Sequence, residues 1–316
     1  MFIPTLNGGD LFGQVLDAVY AQKTDYPFEV IVIDSGSTDS TLDHCARYPM
    51  RLYHIDKRTF NHGLTRNLGI SKARGEVVAL LTQDAVPADE HWLDALVQNY
   101  DRDPWVAGVY SRQLPREDCE PFVRERILRW SAGRTQRTVQ KLATLSDYWN
   151  MNWMQRLELV AFDDVASSVR KQVWQEIPYE RRSFGEDVAW GKKVVLTGYK
   201  IVFEPASAVI HSHNDSLWKQ FRRIYCDHQN LHRLIGITTN RGYEDVFTNT
   251  GAALGYYAEM VDDWDWPWYR RWKAMLYAFG LAVSENLAQF MGSASDEWLE
   301  KYPWFRPIDI KLRRGI

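Results

Sequence analysis

Short apolar runs that alternate with segments of helical period constrain this chain more than any other feature. Runs at residues 28–33, 52–55, 77–81 and 106–110 are rich in valine, isoleucine and leucine, as buried strands are. Phe12, Val15, Leu16 and Val19 recur at helical spacing behind Asp10, and further helices fit residues 41–47, 64–73 and 92–100. Strands separated by single helices imply a parallel sheet with right-handed crossovers, so the fold class is α/β. Residues 1–7 read as the end of a first strand whose beginning is missing.

In an open sheet of this kind, ligands sit outside the carboxyl ends of the strands. The polar residues expected there are Thr5, Asn7, Asp34, Arg66, Gln83 and Asp84. One carboxylate can accept a base N–H, a guanidinium can grip phosphate oxygens as a fork, and a second carboxylate can hold a divalent cation. Asp84, where the run at 77–81 ends before Pro87, is the residue expected to meet a metal or a phosphate-bearing ligand. Gly8, Gly9 and Gly13 do not form a dinucleotide fingerprint and no P-loop lysine follows, which argues against both nucleotide folds. A net charge of -3 argues against nucleic acid as a partner. Cys45, Cys119 and Cys226 are too widely spaced for a disulfide framework or a zinc finger, which fits a reducing cytoplasm. No window offers the roughly 18 apolar residues of a membrane span. The polar residues Asn7 and Asp10 interrupt any signal peptide.

The spacing of Ser183 and Glu186 predicts a capping box that opens a helix to about residue 197, stopped by Gly198. Asp187 then lies in the first turn, where the helix dipole favours its ionised form. It is either an ordinary helix-start acid or a general base toward a hydroxyl. His211 and His213 close a short strand, and the one residue between them is read as placing the rings on opposite faces. His213, at the strand end, is then the better ligand candidate. His228 and His232 read as a helix surface. Trp149 and Trp153 offer aromatic faces to a sugar ring or simply fill a core, and Asp163 with Asp164 is an acceptor-binding pair or a solvated turn. Residues 217–235 read as a basic amphipathic helix. Beyond it, Trp264, Trp266, Trp268, Trp272, Trp298 and Trp304 are interleaved with Arg270, Arg271 and Lys273. That pattern suits a membrane interface. A helical subdomain with packed tryptophans, or a homodimer contact, is favoured slightly, because Asp262, Asp263 and Asp265 oppose anionic lipid.

Five motifs now stand in order: Pro4-Thr5-Leu6-Asn7-Gly8-Gly9, Asp34-Ser35-Gly36-Ser37-Thr38-Asp39, Arg66-Asn67-Leu68-Gly69, Gln83-Asp84-Ala85 and Gly185-Glu186-Asp187. Over residues 1–215 they resemble a family 2 inverting glycosyltransferase with the GT-A fold. Phe60-Asn61-His62-Gly63-Leu64-Thr65-Arg66-Asn67 and the stretch 204–213 resemble its bacterial rhamnosyltransferase branch. The resemblance implies a Rossmann-like, mostly parallel sheet flanked by helices, with a nucleotide-sugar half at 1–110 and an acceptor half at 111–215. A helical, Trp-rich extension would follow at 216–316. It also implies transfer of L-rhamnose from dTDP-β-L-rhamnose to a saccharide or polyprenyl-linked acceptor of O-antigen or related polysaccharide, in the cytoplasm or peripherally at the plasma membrane. Carried over by position, Thr5 and Asn7 line the nucleoside pocket and Asp34 hydrogen-bonds the pyrimidine. Arg66 lies near the base or diphosphate, and Gln83 also belongs to the donor site. Asp84 holds Mg²⁺ or Mn²⁺, completed by His213. Asp187 is the general base, and Trp149, Trp153, Asp164 and Glu186 face the acceptor. The usual D-x-D is Gln83-Asp84-Ala85 here, so one carboxylate is missing and the metal is weakly held or dispensable. Three other readings compete. The donor is another UDP- or dTDP-hexose; the chain is a non-catalytic sugar-nucleotide binder; or His211-Ser212-His213-Asn214-Asp215 marks a metal-dependent hydrolase, although Ser216 stands where that family's next histidine belongs.

Overall fold

The computed structural model describes residues 1–129, 131–182 and 184–315. It divides into two compact units, Met1–His213 and Asn214–Ile316.

The strands of the first unit are β1 (Phe2–Thr5), β2 (Ile31–Asp34), β3 (Arg51–His54), β4 (Val77–Leu81), β5 (Val86–Pro87), β6 (Val106–Leu114), β7 (Thr138–Gln140), β8 (Ala166–Arg170) and β9 (Lys200–Ile210). They form one sheet in the order β3-β2-β1-β4-β8-β6-β9-β5, with β7 paired to β9. From β3 to β4 every pairing is parallel, as the alternating pattern predicts. The helices responsible are α1 (Gly9–Tyr20), α2 (Thr41–Cys45) and α3 (His62–Lys72). The far half is mixed: β8 runs antiparallel between β4 and β6, while β6 and β9 are parallel. Ile31, Val32 and Ile33 of β2 and Val78, Ala79, Leu80 and Leu81 of β4 are all buried, as expected where both faces of a sheet are covered.

Two departures from the sequence reading position the site. The strand expected at residues 106–110 continues to Leu114, because β9 supplies a ladder partner along its whole length. Register along that pair jumps from Ser111–Glu204 to Arg112–Ala208, so residues 205–207 bulge out of β9 at Pro205, which has no ladder N–H. The end of β9 then lies between β5 and the end of β6, with Ile210 opposite both Val86 and Leu114. The remaining helices of this unit are α4 (Trp92–Arg102), α5 (Pro121–Arg129), α6 (Leu145–Asn150), α7 (Trp153–Val160), α8 (Lys171–Glu176) and α9 (Glu186–Leu196).

The second unit contains α10 (Leu217–Ile235), α11 (Tyr243–Asp262), α12 (Trp268–Lys301) and α13 (Arg306–Arg313). Gly236, at φ 76°, ends α10 in the left-handed conformation that a β-carbon disfavours. Tyr225 and Gln229 of α10 hydrogen-bond Asp309 and Ser295, closing a buried polar seam. His228, expected on a helix surface, is buried instead, and burial pushes its pKa down to about 4. The packed-tryptophan reading holds for Trp298, edge-on to Phe290 and Phe305. It fails for Trp268, Trp272 and Trp304, which are exposed. Among the described residues, no helix is long and apolar enough to cross a membrane.

Helix α3 reaches β1 through Gly69, where an added β-carbon would stand 2.3 Å from a ring carbon of Phe2. Gly69→Ala gains roughly 1 kcal/mol of helix propensity but forces overpacking that costs about 1–3 kcal/mol. The expected outcome is a lower melting temperature, read by thermal denaturation. A higher one would mean the helix–strand contact is looser than this spacing.

Candidate functional site

At the carboxyl ends of β1, β2 and β4 the polar residues lock three loops together. Gln83 Oε1 accepts from the Thr5 hydroxyl and the Leu6 N–H, both at 2.8 Å, while Gln83 Nε2 donates to the Leu6 carbonyl. An amide can accept and donate in this way and a carboxylate cannot. The residue standing where D-x-D has its first acid is therefore a staple between loops. Asn7, at φ 49°, accepts from the Thr38 N–H and donates its own N–H to the Ser37 hydroxyl. The carboxylate of Asp34 is turned into its own loop, accepting from the Gly36 and Ser37 N–H groups and the Ser37 hydroxyl. Burial opposes its charge, but these donors and His54 hold its pKa below the ordinary value.

Asp84 follows β4 and meets the end of β9. Its Oδ2 lies 3.7 Å from His211 Nε2 and 3.5 Å from His213 Nε2, and the ligand atoms of the three residues all fall within 4.8 Å of one another. Two donors bound to one ion at about 2.1 Å stand at most ~4 Å apart, so each carboxylate–imidazole spacing suits a shared cation. This corrects the reading that set the two rings on opposite faces. Residues i and i+2 of an extended chain share a face, and both imidazoles, 4.7 Å apart and perpendicular, flank Asp84. Burial opposes ionisation of Asp84, yet His211 and His213 hold its pKa well below the carboxylate range. One carboxylate and two imidazoles suit a first-row divalent ion, whereas Mg²⁺ prefers oxygen ligands. His211 Nδ1 lies 3.0 Å from Gln113 Oε1. The Arg116 guanidinium donates to the Asp84 carbonyl, and its backbone N–H donates to the Ser212 hydroxyl.

A second cluster surrounds the start of α9. Ser183, the expected cap, lies outside the described residues. The helix begins at Glu186 with Gly185 as its N-cap, in the left-handed conformation at φ 66°, so the predicted capping box, which needs Glu186 in the third helical position, does not form. Arg66, expected near the base or diphosphate, is buried with its guanidinium between Asp164 Oδ2, at 3.1 Å, and Glu186. Asp164 has a side chain only 1% exposed and also accepts from Ser167 and Tyr179. Both Asp164 and Glu186, expected on the acceptor side, are thus turned inward onto Arg66. Asp187 is partly exposed, and its Oδ2 accepts from the Asp164 N–H at 3.4 Å. Burial, reinforced by Glu186, Asp164 and Asp163, raises the Asp187 pKa well above the ordinary value. Burial likewise lifts Asp163, and Asp164 to about 6. That shift works against the helix dipole, which favours the ionised form. A macrodipole contributes at most ~2 kcal/mol, and here burial among like charges outweighs both it and Arg66.

Beside α9 packs α7. Trp149 is 67% exposed at the end of α6, and Trp153 is half-buried at the start of α7. The Arg156 guanidinium lies over the rings of Tyr148 and Trp149. Sequence reasoning missed His211, Gln113 and Arg116. Correct strand periodicity would have found the first. The other two lie at and just beyond the end of β6, hidden by stopping that strand at Tyr110.

Comparison with known proteins agrees with this geometry. The glycosyl transferase family 2 model matches residues 1–161. The O-antigen chain rhamnosyltransferase RfbN of Salmonella typhimurium is 34% identical over 230 residues, spanning 71% of this chain and 69% of that protein. WbaN of Salmonella anatum, also an O-antigen chain rhamnosyltransferase, is 27% identical with the same coverage. Among solved structures, the mannosyltransferase PcManGT from Pyrobaculum calidifontis, in complex with GDP-Man and Mn²⁺, aligns with a TM-score of 0.51 at 18% identity over 99% of this chain and 82% of its own. Glucosyl-3-phosphoglycerate synthase from Mycobacterium tuberculosis, in complex with Mn²⁺ and UDP, aligns at 0.52 and 16% identity over 75% of this chain and 79% of its own. Those two likenesses establish the GT-A fold, and the hydrolase reading of residues 211–215 falls with the family match and the relative at 34% identity. Matched over half its length by one family model and 34% identical to a relative over most of that protein, this chain is a glycosyltransferase and a member of glycosyl transferase family 2.

Proposed function

We propose that this glycosyltransferase moves L-rhamnose from dTDP-β-L-rhamnose to a saccharide or polyprenyl-linked saccharide acceptor in surface polysaccharide synthesis, with inversion at the anomeric carbon. The observation that carries the reading is the Asp84–His211–His213 triad, in the same unit as the Asp187 carboxylate that accepts from the Asp164 N–H. The likeness to two O-antigen chain rhamnosyltransferases supports the donor sugar. A UDP- or dTDP-hexose donor on the same fold is the second reading.

Thr5, Asn7, Asp34 and Gln83 frame the nucleoside pocket through the loop contacts described above. Asp84, His211 and His213 would hold Mn²⁺. A bound divalent ion supplies charge neutralisation for the departing diphosphate. Arg116, anchored to the Asp84 carbonyl, is better placed than the buried Arg66 to add a guanidinium there. Asp187 accepts the proton of the attacking hydroxyl. Its raised pKa makes it a stronger base, and the Asp164 N–H orients one of its oxygens. Arg66, Asp164 and Glu186 act as positioning residues beneath it, and exposed Trp149 with Trp153 offers stacking faces to the acceptor sugar. The exposed Trp268 and Trp272 of the second unit, near Arg270 and Lys273, suit peripheral contact with a membrane carrying a lipid-linked acceptor.

Three outcomes test this function. Asp187→Asn should lose at least ~10²-fold in kcat while its calorimetric affinity for dTDP with Mn²⁺ stays within a factor of about three of wild type. Transfer at the wild-type rate would remove Asp187 as the base, and tighter binding of UDP or GDP than dTDP would move the donor to another nucleotide. The base works ionised, and its folded pKa is raised, so activity should decline as pH falls through that raised value. The acid limb of kcat/KM should therefore lie well above the pH of about 3.9 at which an unperturbed aspartate titrates. A limb near that ordinary value would contradict the carboxylate cluster. Finally, an N₂O donor set should make Mn²⁺ support transfer better than Mg²⁺ at equal concentration, with Asp84→Ala weakening nucleotide binding only when metal is present. Equal activity with both ions would argue that the histidines do not ligate.

A further inference from the structure

Gln113 is the penultimate residue of β6, buried, and its amide touches both halves of the site. Oε1 lies 3.0 Å from His211 Nδ1, and Nε2 donates to Asp163 Oδ2 at 2.6 Å. With Nε2 donating to Asp163 Oδ2, the carbonyl oxygen of the amide faces the imidazole. A carbonyl oxygen can only accept, so His211 must carry its proton on Nδ1. With Nδ1 protonated, Nε2, 3.7 Å from Asp84 Oδ2, is the ring nitrogen left to bind a metal. The same amide fixes Asp163, whose charge bears on Asp187 and whose neighbour Asp164 donates its N–H to the Asp187 carboxylate.

We propose that Gln113 is a positioning residue that locks His211 into its ligand tautomer and ties the metal triad to the carboxylate cluster holding the base. This rests on the metal-dependent transferase reading above. Other side chains fail on simple grounds. Leucine leaves an imidazole N–H and a buried carboxylate oxygen unpaired, and glutamate sets a second carboxylate against Asp163. Asparagine is one methylene too short to span both partners.

The test is Mn²⁺ binding to the full chain without nucleotide, by electron paramagnetic resonance of the free ion, with melting temperatures recorded alongside. Removing the hydrogen-bond partner of a ligating histidine characteristically weakens metal ~10–100-fold, and Gln113→Leu should do so. Gln113→Glu alone should also weaken it. Combined with Asp163→Asn, the donor and acceptor exchange places: the introduced carboxylate accepts from both His211 and the new amide. That double variant should recover Mn²⁺ affinity to within about threefold of wild type, a rescue that a merely structural role would not produce and that does not depend on how the leucine variant folds. Wild-type affinity in Gln113→Leu, or no recovery in the double variant, overturns the role of Gln113 and leaves the transferase intact. A wild-type chain that binds no Mn²⁺ removes the triad itself and the inference with it.

Discussion

The buried guanidinium of Arg66 is the interaction on which the site depends. It joins α3 to the turn before β8 and to the first turn of α9, pairing with Asp164 and with Glu186, 120 residues away in sequence. Four carboxylates (Asp163, Asp164, Glu186 and Asp187) gather there around one buried cation. Without the guanidinium they would repel one another in a medium that screens poorly, and breaking such a pair typically costs ~3–5 kcal/mol. With it, the cluster is under-neutralised. Burial, reinforced by that remaining imbalance, raises the Asp187 pKa, which suits the proton-accepting role proposed for it.

The other half of the site follows from the sheet. The bulge at residues 205–207 and the extension of β6 to Leu114 bring the end of β9 between β5 and β6, where the His211 N–H continues the ladder to the Leu114 carbonyl. Asp84 enters from the turn between β4 and β5. Backbone pairing thus delivers two imidazoles and a carboxylate to one point, and Gln113, from the neighbouring strand, links that point to Asp163. Where the D-x-D motif has its first acid, Gln83 is committed to Thr5 and Leu6, and His211 and His213 stand beside the remaining Asp84.

What could be read in advance was whatever a short window of sequence encodes. The β-branched runs became β2 and β4, Gly198 ended α9 at a left-handed residue, and residues 217–235 formed the expected helix, because each depends on local periodicity and backbone sterics. Asp84 was legible as well, since a strand end in an open sheet is a ligand position whatever its neighbours are. His211 was within reach and was lost to a mistaken period. Gln113 and Arg116 were hidden by a strand boundary that only pairing with β9 sets.

The sequence by itself determined the α/β architecture, the family, and the strand and helix ends where chemistry would gather. Tertiary structure decided which polar groups share a site and in what charge state. Arg66 pairs with carboxylates, Glu186 and Asp164 turn inward, and burial raises the Asp187 pKa despite its place at a helix start. The physical reason is one of range. Side-chain period and capping act over a few residues, whereas burial and the charges of groups about a hundred residues away set protonation, and only the folded chain brings those together.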